Sequence, residues 1–341
     1  MEWKKVENSR NQIKKAGKTL AKGTVDIFEE KRALDILDNW RAAHAYPLQV
    51  VASNLRRRTK GRDIIVVQRL KRLDSIVAKL KRQPWISLYD MQDLSGCRVI
   101  VPNIDDVYAV GQEYQNSRIK HKYHHTDDYI EEPKASGYRG IHMVYRYHSD
   151  KNMDYEGMFV EIQLRTKLQH VWSTAVETMG LYTGTNLKAG EGDPQILRFF
   201  ALVSSVFALE EGCPTVPNTP STREELVREI KDVCLHKNIL NKLTAIRSAT
   251  HSIVRQGNNA HYYLLVLSFE KQSLFIQEYA EKELELATKA YTIIESEKEN
   301  FHLNAVLVSA GSINDLKSAY PNYFTDIGEF VRRIRRIIQE K

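Results

Sequence analysis

The sequence predicts an α+β fold. Strands are indicated by a short apolar run and by two stretches in which apolar and polar residues alternate, at 97–101, 140–148 and 157–166. Helices are indicated by apolar residues that recur every three or four positions, over 26–60, 63–82, 167–183 and 194–211. Because strands and helices are interspersed along the chain, we expect helices to pack against a sheet.

A proline-containing segment predicts a domain boundary. EGCPTVPNTPST at 211–222 has three prolines and no periodic apolar residue, which is typical of a linker. We therefore expect a first domain at 1–210 and a smaller α+β domain at 223–341. In the second domain the pattern predicts helices and strands in this order: a helix at 222–246, a hairpin at 261–279, a helix at 280–299, a strand at 304–310, and helices at 312–320 and 326–340.

Composition excludes several classes of protein. The longest mostly apolar run, 199–209, is too short to cross a bilayer, and the basic N-terminus lacks the apolar core of a secretory signal. Three widely spaced cysteines without a CxxC pair are typical of a reducing compartment and predict neither a zinc site nor a disulfide framework. We expect a cytoplasmic protein with no membrane partner.

Positive charge is concentrated in one segment. The net charge is +7, yet residues 54–82 alone carry eleven Lys and Arg against Asp63 and Asp74. Such a field attracts polyanions such as ATP or RNA, although many charge runs are simply solvated helix faces. We expect Arg56, Arg57 and Arg58 to contact RNA phosphates.

Within this segment, QRLKRLDSIVAKL supplies a phosphate-binding candidate. If residues 63–82 form one helix, Lys71, Ser75 and Lys79 are four positions apart and share a face. Together with Arg69 they would line a triphosphate. As a spacing alone this signal is weak.

Two carboxylates are candidate metal ligands. Asp93 precedes a glycine and a buried strand in MQDLSGCRVIV, and Glu161 shares the polar face of its strand with Gln163 and Arg165. The simpler interpretations are a turn residue at Asp93 and a solvent-facing glutamate at 161.

An aromatic residue between glycines is a candidate for binding a nucleotide base. In KASGYRGIH, Tyr138 lies between Gly137 and Gly140, with Lys134 before it and His142 after it. A tyrosine face there suits a stacked base and the cations suit phosphates. A buried tyrosine and a structural histidine are the alternatives.

The sequence HHTDD at 124–128 resembles a metal cluster only superficially. Adjacent strand residues point to opposite faces of a sheet, so consecutive ligands seldom converge. We expect no metal site there.

Taken together, these motifs resemble the synthetase domain of the RelA/SpoT family over roughly residues 55–180. The matching segments are R-x-K-x-x-x-S-I-x-x-K, D-x-x-G-x-R, G-Y-x-x-x-H and V-E-I-Q-x-R-T. The resemblance implies a mixed sheet flanked by helices and a transfer of pyrophosphate from ATP to a 3′-hydroxyl. It implies these roles: ATP binding by Arg69, Lys71, Ser75, Lys79 and Arg98; Mg²⁺ binding and catalysis by Asp93 and Glu161; acceptor binding by Lys134, Tyr138, His142 and Gln163.

Two features of the sequence bear on which molecule accepts the pyrophosphate. Alarmone synthetases commonly have a basic residue just before D-Y-I, where this chain has Asp127. The C-terminal part resembles CapRel-type fused toxin–antitoxin proteins, in which pyrophosphate is transferred to the 3′ CCA end of tRNA. That resemblance implies an inhibitory C-terminal antitoxin domain released by a phage capsid protein, with Tyr320 and Tyr323 blocking the adenine site. A small synthetase acting on GDP or GTP, and an idle RNA-binding or phage-sensing module, are the alternatives.

Overall fold

The structure is a computed structural model. It describes residues 3–150, 153–237, 239–248, 251–255, 260–268, 273–296, 303–309, 315 and 327–340.

The elements up to residue 210 are, in chain order, α1 (Arg10–Lys22), α2 (Ile27–Ala43), α3 (Ala45–Arg58), β1 (Ile65–Leu70), α4 (Leu73–Arg82), β2 (Ser95–Val101), α5 (Ile104–Gln115), β3 (Lys122–Asp128), β4 (Ile141–Arg146), β5 (Phe159–Thr166), α6 (Lys167–Thr183) and α7 (Pro194–Glu210). The elements that follow are α8 (Arg223–Lys237), α9 (Ile239–Ser248), β6 (His251–Arg255), β7 (Ala260–Ser268), β8 (Ser273–Ala280), α10 (Leu284–Ser296), β9 (Leu303–Ser309) and α11 (Gly328–Gln339).

The described strands form one mixed sheet in the order β3-β4-β5-β2-β1-β9-β7-β8-β6. β2 runs parallel to β5, and β6 runs parallel to β8, while the other neighbours are antiparallel. Helices flank this sheet, which confirms the expected α+β class. The strands predicted at 97–101, 140–148 and 157–166 and the hairpin at 261–279 are confirmed.

The single helix predicted at 63–82 is wrong. Residues Ile65–Leu70 form β1, and only Leu73–Arg82 are helical. The run of β-branched residues Ile64–Val67 favours a strand, and β1 is paired on both sides, by β2 and by β9. Arg69 therefore lies on a strand and Lys71 just after it, so the helix face expected for Lys71, Ser75 and Lys79 does not exist.

Other predicted helices differ in their bounds. The helix predicted at 26–60 is divided between α2 and α3 at His44, and Pro47 lies in the first turn of α3, where its missing N–H costs nothing. The helix predicted at 222–246 is divided into α8 and α9. The helix predicted at 312–320 lies largely outside the described residues. Within the described part of the chain, none of the helices combines the length and the apolar character needed to cross a bilayer.

The C-terminal region contacts the preceding part of the chain both in the sheet and in the helical layer. β9 pairs with β1, with Gln68 opposite Ser309 and Arg69 opposite Val308. On the helical side, α11 inserts Phe330 among the aromatic residues of α7, within a buried cluster that also contains Trp172 and Tyr138. The region after the proline-containing segment thus completes both the sheet and the helical layer.

Candidate functional site

The register of the sheet places the predicted site residues in two rows across neighbouring strands. In the first row Arg69 lies opposite Gly96, which lies opposite Glu161. In the second row Arg98, Gln163, His142 and Asp127 follow one another across β2, β5, β4 and β3. Because the rows are two residues apart, both face the same side of the sheet.

These rows line an open cleft of about 420 Å³, whose walls are Arg69, Lys71, Asp93, Gly96, Cys97, Arg98, Glu161 and Gln163. Gly96 is the floor of this cleft. A Cβ at position 96 would lie 3.9 Å from Glu161 Oε2, so a larger side chain would occupy the space beside that carboxylate. The cleft therefore combines cations, two carboxylates and an open floor.

On the donor side, two lysines meet at Asp93. Lys71 Nζ is 2.9 Å from Asp93 Oδ2, and Lys79 Nζ, on α4, is 2.9 Å from Oδ1. Burial opposes the charge on Asp93, but the two ammonium groups outweigh it and hold the pKa of the carboxyl well below its usual range. Ser75 lies one turn before Lys79 on α4 and is half-buried. Lys71 and Lys79 still converge although residues 63–82 do not form one helix, because the turn between β1 and α4 brings them together.

On the acceptor side, a chain of hydrogen bonds leads to Glu161. His142 Nδ1 is 2.8 Å from Glu161 Oε1, and His142 Nε2 is 2.5 Å from the hydroxyl of Tyr138. Gln163 donates to Glu161 Oε2 at 2.6 Å. Arg165 donates to the Tyr138 hydroxyl at 2.7 Å and to Gln163 Oε1 at 3.1 Å. Glu161 thus belongs to both the donor cleft and the acceptor network.

The ring of Tyr138 is largely covered. It is 7 % exposed and belongs to the cluster around Trp172, while the Arg165 guanidinium lies 5.0 Å from its centroid. Gly137 has φ +91°, and a Cβ there would lie 2.7 Å from Trp172, so the turn rests tightly on α6. Stacking of a base on Tyr138 therefore requires this turn to move. The neighbouring Tyr129, which sequence reasoning missed, is half-buried and is covered by Lys134 Nζ at 4.0 Å.

His142 carries a positive charge in this setting. Burial opposes that charge, but Tyr138 and Glu161 outweigh it and raise the pKa of His142 to about 9. For Glu161, burial is likewise outweighed by His142, so the pKa of the carboxyl is lowered. The pair therefore keeps Glu161 ionised.

An imidazole titration followed by NMR tests this arrangement. We expect His142 to titrate well above the ordinary histidine value of about 6.5, near the value of about 9 given by its surroundings. In a Glu161→Gln variant the midpoint should fall, because the stabilising anion is gone. An unchanged His142 midpoint in the variant would show that Glu161 does not control its charge.

Asp93 and Glu161 fit a magnesium ion. Both carboxylates line one cleft, the pKa of each is lowered, and the negative charge of Asp93 opposes that of Glu161, a repulsion that a bound cation would relieve. Mg²⁺ is commonly held by one or two carboxylates together with substrate phosphates.

The predicted RNA-binding arginines do not line the cleft. Arg56 is half-buried and its guanidinium reaches Ser309 on β9 at 3.5 Å, whereas Arg57 and Arg58 are exposed. Tyr320 and Tyr323 lie outside the described residues.

In HHTDD, the side chains of His124 and His125 approach each other more closely than strand alternation predicts. A bulge between Tyr123 and His125 shifts the register of β3, and the Nδ1 atoms of His124 and His125 lie 2.6 Å apart. Even so, among the described residues there is no group of three or more His, Cys, Asp or Glu side chains suited to hold a metal ion.

Comparison with known proteins agrees with these motifs. Residues 68–186 match the family described as the region found in RelA and SpoT proteins. GTP pyrophosphokinase YjbM of Bacillus subtilis is 33% identical over 122 residues, which are 35% of this chain and 57% of that protein. GTP pyrophosphokinase YwaC of the same organism is 32% identical over 114 residues, covering 31% of this chain and 52% of that protein. The chain thus spans little more than half the length of these relatives.

Among solved structures, the small alarmone synthetase 1 of Bacillus subtilis has a TM-score of 0.41 and 21% identity, over 60% of this chain and 99% of that one. The residues of the cleft and of the acceptor network all lie within the matched region. Residues 68–186 of this chain are thus similar to the region found in RelA and SpoT proteins.

Proposed function

We propose that this chain transfers pyrophosphate from ATP to a 3′-hydroxyl group. The observation that carries the proposal is the position of Glu161, which lines the cationic cleft and also ends the Tyr138–His142 network. A donor site and an acceptor site that share one carboxylate are what a direct transfer needs. Relatives named GTP pyrophosphokinase support the same reaction class.

Several residues of the cleft bind the substrate, and one accepts a proton. Arg69, Lys71, Lys79 and Arg98 bind the triphosphate, with Ser75 beside them on α4. Asp93 and Glu161 would hold Mg²⁺, which when bound supplies positive charge against the phosphates. Glu161 takes the proton of the attacking hydroxyl.

We propose the 3′ CCA end of tRNA as the acceptor. Asp127 lies opposite His142 in the sheet, and a carboxylate at that point repels the 5′-phosphates of free GDP or GTP. Residues 118–125, which precede and begin the edge strand β3, contain Arg118, Lys120 and Lys122 and no acidic residue, and Tyr123 is 48% exposed. With Arg57 and Arg58, this surface suits an RNA backbone. The names of the relatives favour the second candidate, GDP or GTP as the acceptor.

An acceptor assay separates these candidates. Purified protein is incubated with γ-labelled ATP and with deacylated tRNA, periodate-oxidised tRNA, GDP or GTP. We expect label on intact tRNA only, since oxidation destroys the terminal 3′-hydroxyl. Label on GDP or GTP alone would contradict the RNA acceptor.

We also propose that the C-terminal region restrains the enzyme and that a phage capsid protein releases it. Support comes from β9, which pairs with β1 at Arg69, and from an apolar pocket of about 490 Å³ beside Arg69. Its lining includes Trp3, Arg41, Leu70, Tyr262, Leu284 and Leu307. In the same assay, the double variant Tyr320→Ala/Tyr323→Ala should label tRNA faster than the wild type. If neither the wild type nor this variant labels any acceptor, the proposed activity is wrong.

A further inference from the structure

A second charged cluster lies beside the cleft, on α6 and on the turn that follows it. Lys188 Nζ donates to Glu177 Oε1 and, at 2.5 Å, to Ser173 Oγ. The side chains of Lys188 and Glu177 are only 24% and 22% exposed. Sequence reasoning missed all three residues, because the apolar face of α6 dominates its pattern.

The position of Lys188 is fixed by the packing of its turn. α6 ends at Gly184, which has φ +66°, and Leu187 is buried in the cluster that contains Trp172. A short 3₁₀ turn at Leu187–Ala189 then ends at Gly190. Leu187 anchors this turn in the core, so the neighbouring Lys188 is held against α6 rather than released into solvent.

Glu177 is surrounded by more positive charge than it neutralises. Burial opposes its ionisation, but Lys188, Arg98 and Arg69 outweigh that effect and lower the pKa of the carboxyl. Arg98 and Arg69 also line the proposed donor cleft. One carboxylate therefore faces three cations, and such an excess of positive charge favours an anion with more than one negative charge.

Ser173 connects Lys188 with the acceptor side. Its hydroxyl oxygen also accepts from Arg165 Nη1 at 2.9 Å, and the other terminal nitrogen of Arg165 donates to the Tyr138 hydroxyl. Lys188 thus lies between the cations of the donor cleft and the acceptor tyrosine. It also lies two residues beyond the matched RelA/SpoT region.

We propose that Lys188 binds the pyrophosphate group during its transfer and that Glu177 holds Lys188 in place in the free protein. This inference rests on the proposed pyrophosphate transfer. In that step the 3′-oxygen forms a bond to the β-phosphorus, and the bond between that phosphorus and the α,β-bridging oxygen breaks. AMP leaves with the electron pair, and the hydroxyl proton passes to Glu161. Lys188 forms no covalent bond and keeps its protons.

Binding of inorganic pyrophosphate and of α,β-methylene-ATP, measured by calorimetry in the presence of Mg²⁺, tests this role. Lys188→Met should weaken pyrophosphate binding by about ten- to hundredfold, which corresponds to the loss of one charged hydrogen bond. Lys188→Arg should bind more tightly than Lys188→Met, because it keeps the charge. Glu177→Gln should bind pyrophosphate more tightly than the wild type, because it removes a competing carboxylate.

Lys237→Met is the matched control. Lys237 forms an ion pair of similar exposure with Asp193 at 2.9 Å, away from the cleft, and its loss should leave binding unchanged. If Lys188→Met does not fold, Glu177→Gln decides the matter, since breaking a purely structural ion pair does not tighten binding.

Three results would overturn the proposal: no pyrophosphate binding by the wild type, unchanged binding in Lys188→Met, or weaker binding in Glu177→Gln. If binding changes as expected but no acceptor is labelled, the pyrophosphate site stands and the proposed transfer is wrong.

Discussion

Replacing Glu161 with glutamine is expected to slow pyrophosphate transfer by about 10³-fold, because it removes both a general base and a metal ligand. Glutamine has nearly the same shape, so contacts with Gln163 and His142 remain possible and the fold should be preserved. The single-turnover rate of transfer from labelled ATP measures the effect. The binding of α,β-methylene-ATP, measured separately, shows whether the loss lies in chemistry or in binding.

Glu156→Gln is the matched control for Glu161→Gln. Glu156 also accepts a hydrogen bond from a histidine, His148, at 2.8 Å, but it does not line the cleft. Its replacement should leave the transfer rate within about twofold of the wild type, because the partly exposed pair of Glu156 with His148 lies outside the cleft. A Glu161→Gln enzyme that kept a tenth or more of the wild-type rate would exclude Glu161 as the base.

Local patterns predicted the strands that carry His142 and Glu161, whereas the position of Asp93 beside Glu161 was implied by the resemblance to the RelA/SpoT family. The alternation in β4 and β5 places His142 and Glu161 on one face, and the parallel pairing of β2 with β5 brings the cleft together. Each of these strands has a strong pattern of its own. The motif residues that they carry are therefore predictable without the tertiary structure.

The misassigned segment shows where such patterns fail. Residues 64–67 are all β-branched, yet they also fit an apolar helical stripe, and the difference is decided by pairing with distant strands. One of those partners, β9, lies more than 230 residues away along the chain. No local spacing contains that information.

The burial of the Tyr138 ring and the position of Lys188 could not be predicted from the sequence either. Whether the Tyr138 ring is open depends on Trp172, which approaches it from α6, and on Arg165, which approaches it from β5. Lys188 is one charged residue in a polar loop of the sequence, and only the packing of Leu187 places it beside Glu177. Both features are products of tertiary packing rather than of residue order.

Replacing Phe330 with alanine is expected to lower the free energy of unfolding by about 3–5 kcal/mol, the usual cost of removing a buried phenylalanine ring. Phe330 is 1% exposed, and its ring centroid lies 5.8 Å from that of Phe200, 6.2 Å from that of Phe207 and 6.4 Å from that of Phe199. Three aromatic neighbours on one rigid helix leave little scope for the cavity to collapse. Chemical denaturation followed by circular dichroism measures the change.

Phe28 provides the control for this prediction, since its side chain is 85% exposed on α2 and its replacement by alanine should change stability by less than about 0.5 kcal/mol. Equal effects of the two substitutions would show that α11 does not pack on α7 in solution.

The contribution of α11 to stability affects how the proposed autoinhibition can be tested. Truncation near residue 211 would remove Phe330 together with Leu226 and Ile230 from the cluster that supports Tyr138. An inactive truncation would then report lost folding rather than an absence of restraint, so substitutions within the full chain are the sounder test of the proposed restraint.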